Sequence, residues 1–217
     1  MEKIKSAIKN LKQPILVSII LMVICGLAFP LLLTGLSSVF FKDKANGSII
    51  EINGISYGSE YVGQDFTKPY FMHGRPSAVN YNTYTEDENG NKTYLNGEEF
   101  SGVASGSQNL APSSEKLKQQ TSNLLEKFLE ENPKIKKEDI PTDLLTASGS
   151  GLDPHISPKS AQIQIPRIVD SSNISEEKIK QIISDNTTGK FLGVFGEETV
   201  NVLGVNIDIA TEMGIIK

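Results

Sequence analysis

The chain has 217 residues, 38% of them hydrophobic and 22% charged, with a formal net charge of −5 and a single cysteine, Cys25. An acidic balance without a block of basic residues excludes a nucleic-acid-binding module and attachment to anionic lipid by charge. One cysteine excludes a disulfide framework, so any folded domain must rest on its own apolar core.

The apolar residues are unevenly spread. No charged side chain occurs from Ile15 to Phe41. At about 1.5 Å per residue a helix over this stretch reaches roughly 40 Å, enough to cross a hydrocarbon core about 30 Å thick. Pro30, Gly26, Ala28 and Gly35 are tolerable inside such a helix, and the small residues let a neighbouring helix approach. A cleavable signal would have a shorter apolar core ending in a small-residue site, whereas here Pro30 and three leucines continue the run. Lys3, Lys5, Lys9 and Lys12 precede the stretch against Glu2 alone, while Lys42, Asp43 and Lys44 nearly cancel after it. Lysine excess marks the cytoplasmic side. The expected organisation is a cytoplasmic tail over 1–13, a transmembrane helix over 14–41, and an extracytoplasmic domain over 42–217.

In the outer domain, Ile49, Ile50 and Ile52 lead into Asn53-Gly54, which predicts a hairpin with a two-residue turn. Strand and loop follow through 61–84, where Tyr70, Phe71, Tyr81 and Tyr84 are expected to pack a core. Residues 85–106 are polar and Gly-rich around Asn89-Gly90, and read as an exposed hairpin or a long loop, the segment most open to disorder. A helix should start at Ser113 or Ser114, carry Leu117, Thr121, Leu124, Leu125, Phe128 and Leu129 on one stripe, and end at Pro133. Ser157-Pro158 reads as an N-cap and first turn of a helix through Ile168, kinked at Pro166. Ser175 caps a helix with Ile179, Ile182 and Ile183 on one face. A strand is expected over 199–203, then a short helix or strand over 205–210. The fold class is α+β: one N-terminal transmembrane helix, then a single mixed α/β domain.

Three segments hold chemistry-bearing residues: 73–78 (HGRPSA), 101–114 (SGVASGSQNLAPSS) and 146–158 (TASGSGLDPHISP). Ser148, Ser150, Asp153 and His155 share one stretch, but the G-x-S-x-G elbow of a serine hydrolase is absent. A hydrolase would need Ser150 and His155 within hydrogen-bond reach. Two isolated histidines are a poor start for zinc, and no phosphate-cradling G-x-x-x-x-G-K-[ST] occurs. Only two of the 21 basic residues are arginines, Arg75 and Arg167. A guanidinium fork does what an ammonium cannot, which singles both out.

In order along the chain stand ANGSII, GSEYVGQDF, YFMHGRPSA, SGSQNLAPSS, LLTASGSGLDPHISP, QIPRIV and VNVLGVN, behind one N-terminal apolar helix. This series resembles the C-subunit family of the Kdp potassium-transporting ATPase over essentially the whole chain. The resemblance implies a non-catalytic subunit, needed for assembly and activity, that acts as a catalytic chaperone raising the ATP affinity of the ATP-hydrolysing subunit. Its implied partners are that subunit, a potassium-channel-like subunit and the lipid bilayer, with no nucleic acid. The sequence lacks the DKTG phosphorylation motif and a potassium filter loop. It departs from the family where SGGSNLG is usual and SGSQNLA stands, and where Gly204 replaces a usual acidic residue.

ATP is cytoplasmic and the expected domain is outside, so no covalent cofactor is expected and ATP acts through the complex rather than by direct binding. Tight interfaces favour Arg and aromatics, which makes Arg75, Arg167, Tyr70 and Phe71 candidates for partner contact. An internal ion pair holding two loops is the alternative for the arginines. Ser77, Asn109, Asp143, Ser150, Asp153, His155 and Asn201 complete the candidate interface or loop-organising set, with no catalytic or metal-binding residue expected. A membrane-anchored extracellular solute-binding or sensor module is the alternative function, and it predicts a deep apolar pocket.

Overall fold

A computed structural model describes residues 2–95 and 97–217, with the side chains of 2–10, Lys3, Lys5 and Lys9 among them, lying outside that description. The chain divides into two compact units, residues 1–49 and 50–217.

The first unit is helical. α1 (Glu2–Val23) passes through Pro14 into a π turn over Ile24–Ala28, followed by α2 (Phe29–Phe40) and one further turn, α3 (Lys42–Ala45). The π turn has a local cause. Pro30 has no N–H and its ring crowds the carbonyl four residues back, and a widened turn just before it, in which the Phe29 N–H reaches Ile24 O, relieves the clash. From Leu11 to Phe40 the helix is long and apolar enough to cross a membrane, and none of its most apolar window is buried within the protein.

The second unit is a mixed helix and strand domain. β1 (Ile49–Ile52) and β2 (Ile55–Ser59) form the expected hairpin. Asn53 and Gly54 both take positive φ, +52° and +78°, as a type I′ turn requires. β3 (Tyr84–Glu86) and β4 (Lys92–Tyr94) make a second antiparallel hairpin, so 85–106 is not a long loop. Its turn is organised by Asp87, whose carboxylate accepts from Asn89 N, Asn91 N and Asn91 Nδ2. It is only partly exposed: Tyr94 is buried, whereas Tyr84, expected in a core, lies on the surface with Lys92 4.5 Å over its ring.

α4 (Glu115–Glu131) begins after Ser114, which holds the N-cap position without a side-chain bond. Asn132 closes it by donating to Phe128 O. Ser157 caps α5 (Pro158–Gln162) as expected, its Oγ accepting from Ser160 N. The kink expected at Pro166 is a full break: α5 ends at Gln162 and α6 (Ile165–Ser172) restarts with Pro166 in its first turn, where the missing N–H costs nothing. Ser175 caps α7 (Glu176–Asp185) through Lys178 N.

β5 (His155–Ile156), β7 (Thr199–Asn201) and β6 (Thr187–Thr188) form a small antiparallel sheet in that order. The expected strand over 199–203 is two residues shorter. Asn201 Oδ1 accepts from Gly204 N and turns Val202 and Leu203 into the start of α8 (Val202–Glu212). α8 divides the core. Val202, Val205 and Ile209 join Met72, Ile156, Ile168, Ile179 and Val200 on one side. Leu203, Ile207 and Ala210, with Ile216, pack under Ile50, Ile52 and Tyr57 on the other.

Candidate functional site

The segment 146–158 has almost no regular structure, so its backbone needs partners from elsewhere. It finds them on four parts of the chain. Ser150 O accepts from Gly106 N at 2.8 Å and Ser105 Oγ at 3.1 Å. Gly151 O accepts from Ser77 Oγ at 2.6 Å, Leu152 O from Gly63 N at 2.8 Å, and Pro154 O from Val202 N at 2.9 Å. The three segments singled out by composition therefore converge, with the 146–158 loop at their hub.

Close approach at this hub demands glycine. A Cβ on Gly63 would lie 2.6 Å from both Asp153 O and a Tyr81 ring carbon, and one on Gly151 would lie 2.8 Å from Gly106 O. Tyr81 sits in a left-handed turn, Asn80, Tyr81 and Asn82 having φ of +49°, +51° and +54°. Ser77 holds that turn by accepting from Tyr81 N at 2.8 Å, and the Tyr81 hydroxyl donates to Arg75 O at 2.6 Å. Burial pushes the Tyr81 phenol upward, so it stays protonated as a donor.

Arg75 donates to Asp153 at 3.0 Å, and Asp153 accepts the His155 N–H at 3.0 Å. Ser150 Oγ accepts from Leu152 N and meets Ser148 Oγ at 3.4 Å, and forms no bond to His155 among the described contacts. The hydrolase arrangement is therefore not assembled. Asp143 accepts from Ser157 N at 2.8 Å and Ser160 Oγ at 2.6 Å, tying the preceding turn to the start of α5. Asn109, at φ +50°, lies in an exposed turn closed by Ser107 Oγ. Asn201 both caps α8 and donates to Glu60 O at 2.8 Å.

Arg167 is only 8% exposed. Its guanidinium donates to Asn132 Oδ1, Gln164 Oε1, Pro69 O and Phe71 O. These partners are neutral, and among the described residues no carboxylate forms an ion pair with it, although the nearby charge of Glu131 favours its protonated form. Burial pushes its pKa down from the ordinary guanidinium range to about 10. Tyr70 and Phe71 stack edge-on at 4.7 Å beside it.

Two buried amides that sequence reasoning passed over complete this arrangement. Gln164 accepts from His73 N and donates to His73 O, and Asn206 accepts from Met72 N and donates to Met72 O. The backbone of 69–73, a turn leading into an extended stretch at the buried Met72, is therefore held by Arg167, Gln164 and Asn206 together. For Asn206 the available signal was a polar residue on the otherwise apolar α8. Gly204 lies against Asn186: a Cβ there would meet Asn186 Oδ1 at 2.1 Å.

Asp153 is held below the usual carboxylate range by hydrogen bonding to His155 and by Arg75, and Glu131 by His73. A depressed folded pKa gives stability that is complete above the unfolded value, about pH 4, and lost as pH falls through the lower folded value. Acid titration followed by circular dichroism should therefore show stability falling below about pH 4. Asp153→Asn with Glu131→Gln should flatten that slope, and an unchanged slope would remove these two carboxylates from the account.

Two cavities flank the hub on the α4 side. One of about 230 Å³ is lined by Asp65, His73, Arg75, Tyr81, Lys127 and Glu131 among others. The other, about 590 Å³, is lined by Gln108, Leu110, Leu117, Gln120, Asn123 and Thr146 among others, includes Glu98, and has no Lys or Arg among its lining residues. Among the described residues no three His, Cys, Asp or Glu gather to hold a metal ion.

The chain matches the family model of the K+-transporting ATPase c chain, KdpC, over residues 11–211. It is 55% identical over 213 residues to the potassium-transporting ATPase KdpC subunit of Clostridioides difficile, covering 96% of this chain and 100% of that one. Identity is 54% to the namesake subunit of Clostridium kluyveri, over 95% and 96% of the two chains, and 38% to that of Caldanaerobacter subterraneus, over 94% and 96%. With the apolar helix leading into a domain whose family segments meet at one hub, this chain belongs to the KdpC family of potassium-transporting ATPase subunits.

Proposed function

We propose that this chain is a non-catalytic accessory subunit that raises the ATP affinity of the pump's ATP-hydrolysing subunit indirectly, from the extracytoplasmic side. The observation that carries the reading is the hub itself. The side chains of Ser77, Asp143, Asp153 and Asn201 are engaged in bonds that hold one segment to another, and Ser150 does the same through its carbonyl. Such side chains maintain a shape, and a fixed shape is what a subunit needs to bind one conformation of a partner better than another.

Direct ATP binding draws no support from the larger cavity. Gln108 lines it, but a triphosphate there would face Glu98 without a Lys or Arg on the wall. The lysine excess before the anchor favours a cytoplasmic tail, which leaves residues 50–217 outside, away from cytoplasmic ATP. In this reading the anchor and outer domain engage the channel-like subunit, and the resulting bias reaches the nucleotide site through the complex.

Topology provides the test. With Cys25→Ser as background, a membrane-impermeant maleimide applied to intact cells should label Asn89→Cys in the β3–β4 turn and leave Lys12→Cys untouched. Labelling of Lys12→Cys alone would place the domain beside ATP and end the indirect mechanism.

A further inference from the structure

Between β6 and β7 the chain runs out to a turn, Lys190 to Glu197, whose shape is set by backbone alone. Phe191 N donates to Phe195 O at 2.8 Å and Phe195 N to Phe191 O at 2.9 Å. Gly193 N returns to Lys190 O at 3.0 Å, with Leu192 and Gly193 at φ +53° and +75°. The flanking strands pair Thr187 with Val200 and Thr188 with Thr199, so the turn is fastened to the core sheet at both ends. Yet Phe191, Leu192, Val194 and Phe195 are between 63 and 75% exposed. A leucine at positive φ is unfavourable by itself, and here it helps present four large apolar side chains that no other described residue covers.

The charge around this knob selects its occupant. Lys190 pairs with Glu197 at 3.6 Å, and Glu198 follows, leaving one carboxylate in excess at the base. That excess disfavours lipid phosphate and is complementary to a basic rim. Two cross-turn backbone bonds hold the knob ready, so little ordering cost opposes docking, and phenylalanine and leucine side chains suit a closed apolar pocket.

We infer that the 191–195 turn is a docking knob that seats in an apolar pocket rimmed by basic side chains on another subunit of the pump. The inference rests on the accessory-subunit reading above.

The test uses the full chain in the assembled, membrane-derived complex, with a photo-crosslinking benzophenone amino acid at position 192 and, as control, at position 89. Position 192 should crosslink to another subunit at least about tenfold more than position 89, the margin a buried anchor gives over a free surface. Glu197→Lys with Glu198→Lys should cut that yield several-fold at low salt, with the deficit shrinking as salt rises. Phe191→Ser should weaken docking roughly 30-fold or more. These positions are exposed, so the unfolding midpoint should not move. Crosslinks to lipid alone, a yield raised by the charge reversal, or no subunit product at 192 would overturn the knob. If the unaltered chain fails to co-purify with the pump subunits, the accessory reading falls and the knob with it. Co-purification without a product at 192 overturns the knob alone.

Discussion

Removing residues 50–217 while keeping 1–49 is expected to cut potassium-stimulated ATP hydrolysis by the complex sharply at limiting ATP, with the truncated chain still present in the membrane. The cut respects the structure, because the two units are separately compact and the helix keeps the whole stretch Leu11–Phe40. On the proposed reading the domain lends the pump no reacting group, so its loss acts on an equilibrium. Coupling between two binding events is typically 5- to 150-fold. Supplying the full chain should therefore lower the ATP requirement by a factor in that range. The same thermodynamics demands the reverse: a non-hydrolysable ATP analogue should tighten retention of this chain by the same factor. Potassium-stimulated activity unchanged by the truncation would sink the proposal. Reciprocity has a further use, since a chain that merely stabilised the complex against unfolding would not respond to nucleotide.

The second large effect is on the fold. Arg167→Met should destabilise the domain by about 3–5 kcal/mol, because the acceptors on Asn132, Pro69 and Phe71 lose the guanidinium together and Gln164 Oε1 keeps only His73 N. For a domain of this size that lowers the melting temperature by roughly 10 °C. Arg167→Lys should rescue little, since one ammonium cannot span acceptors that lie around a planar fork. Near neutral pH the loss should not vary with pH. The folded pKa is lowered to about 10, so the folded state binds fewer protons than the unfolded one only above about that pH, and stability linked to it rises with pH only there. Urea unfolding of the detergent-solubilised chain measures this, and a loss under about 1 kcal/mol would mean the clamp on 69–73 is not cooperative.

What the sequence revealed and what it hid divide along distance. Asn53-Gly54, Ser157 and Ser175 act on residues two or three positions away, and each was readable from its neighbours. Pro166 was readable as an interruption, but whether a helix bends or restarts depends on what holds Gln164, and that is His73. Thr199 to Leu203 looks like one strand by side-chain type. It ends early because Asn201 caps forward, which residue propensity does not convey. The three polar segments stood out by composition, but their convergence on consecutive carbonyls of one loop joins residues far apart in the chain. Arg167 stood out by rarity, and its role was out of reach because all its backbone acceptors lie nearly a hundred positions upstream.

Ile50 and Ile52, in the first hairpin after the anchor, rest on Leu203, Ile207 and Ile216, and Asn53 reaches the carbonyl of Lys217. During synthesis this hairpin thus has no floor until residues more than 150 positions further along have been made. Its isoleucines stay bare in that interval, open to mispairing until α8 closes over them.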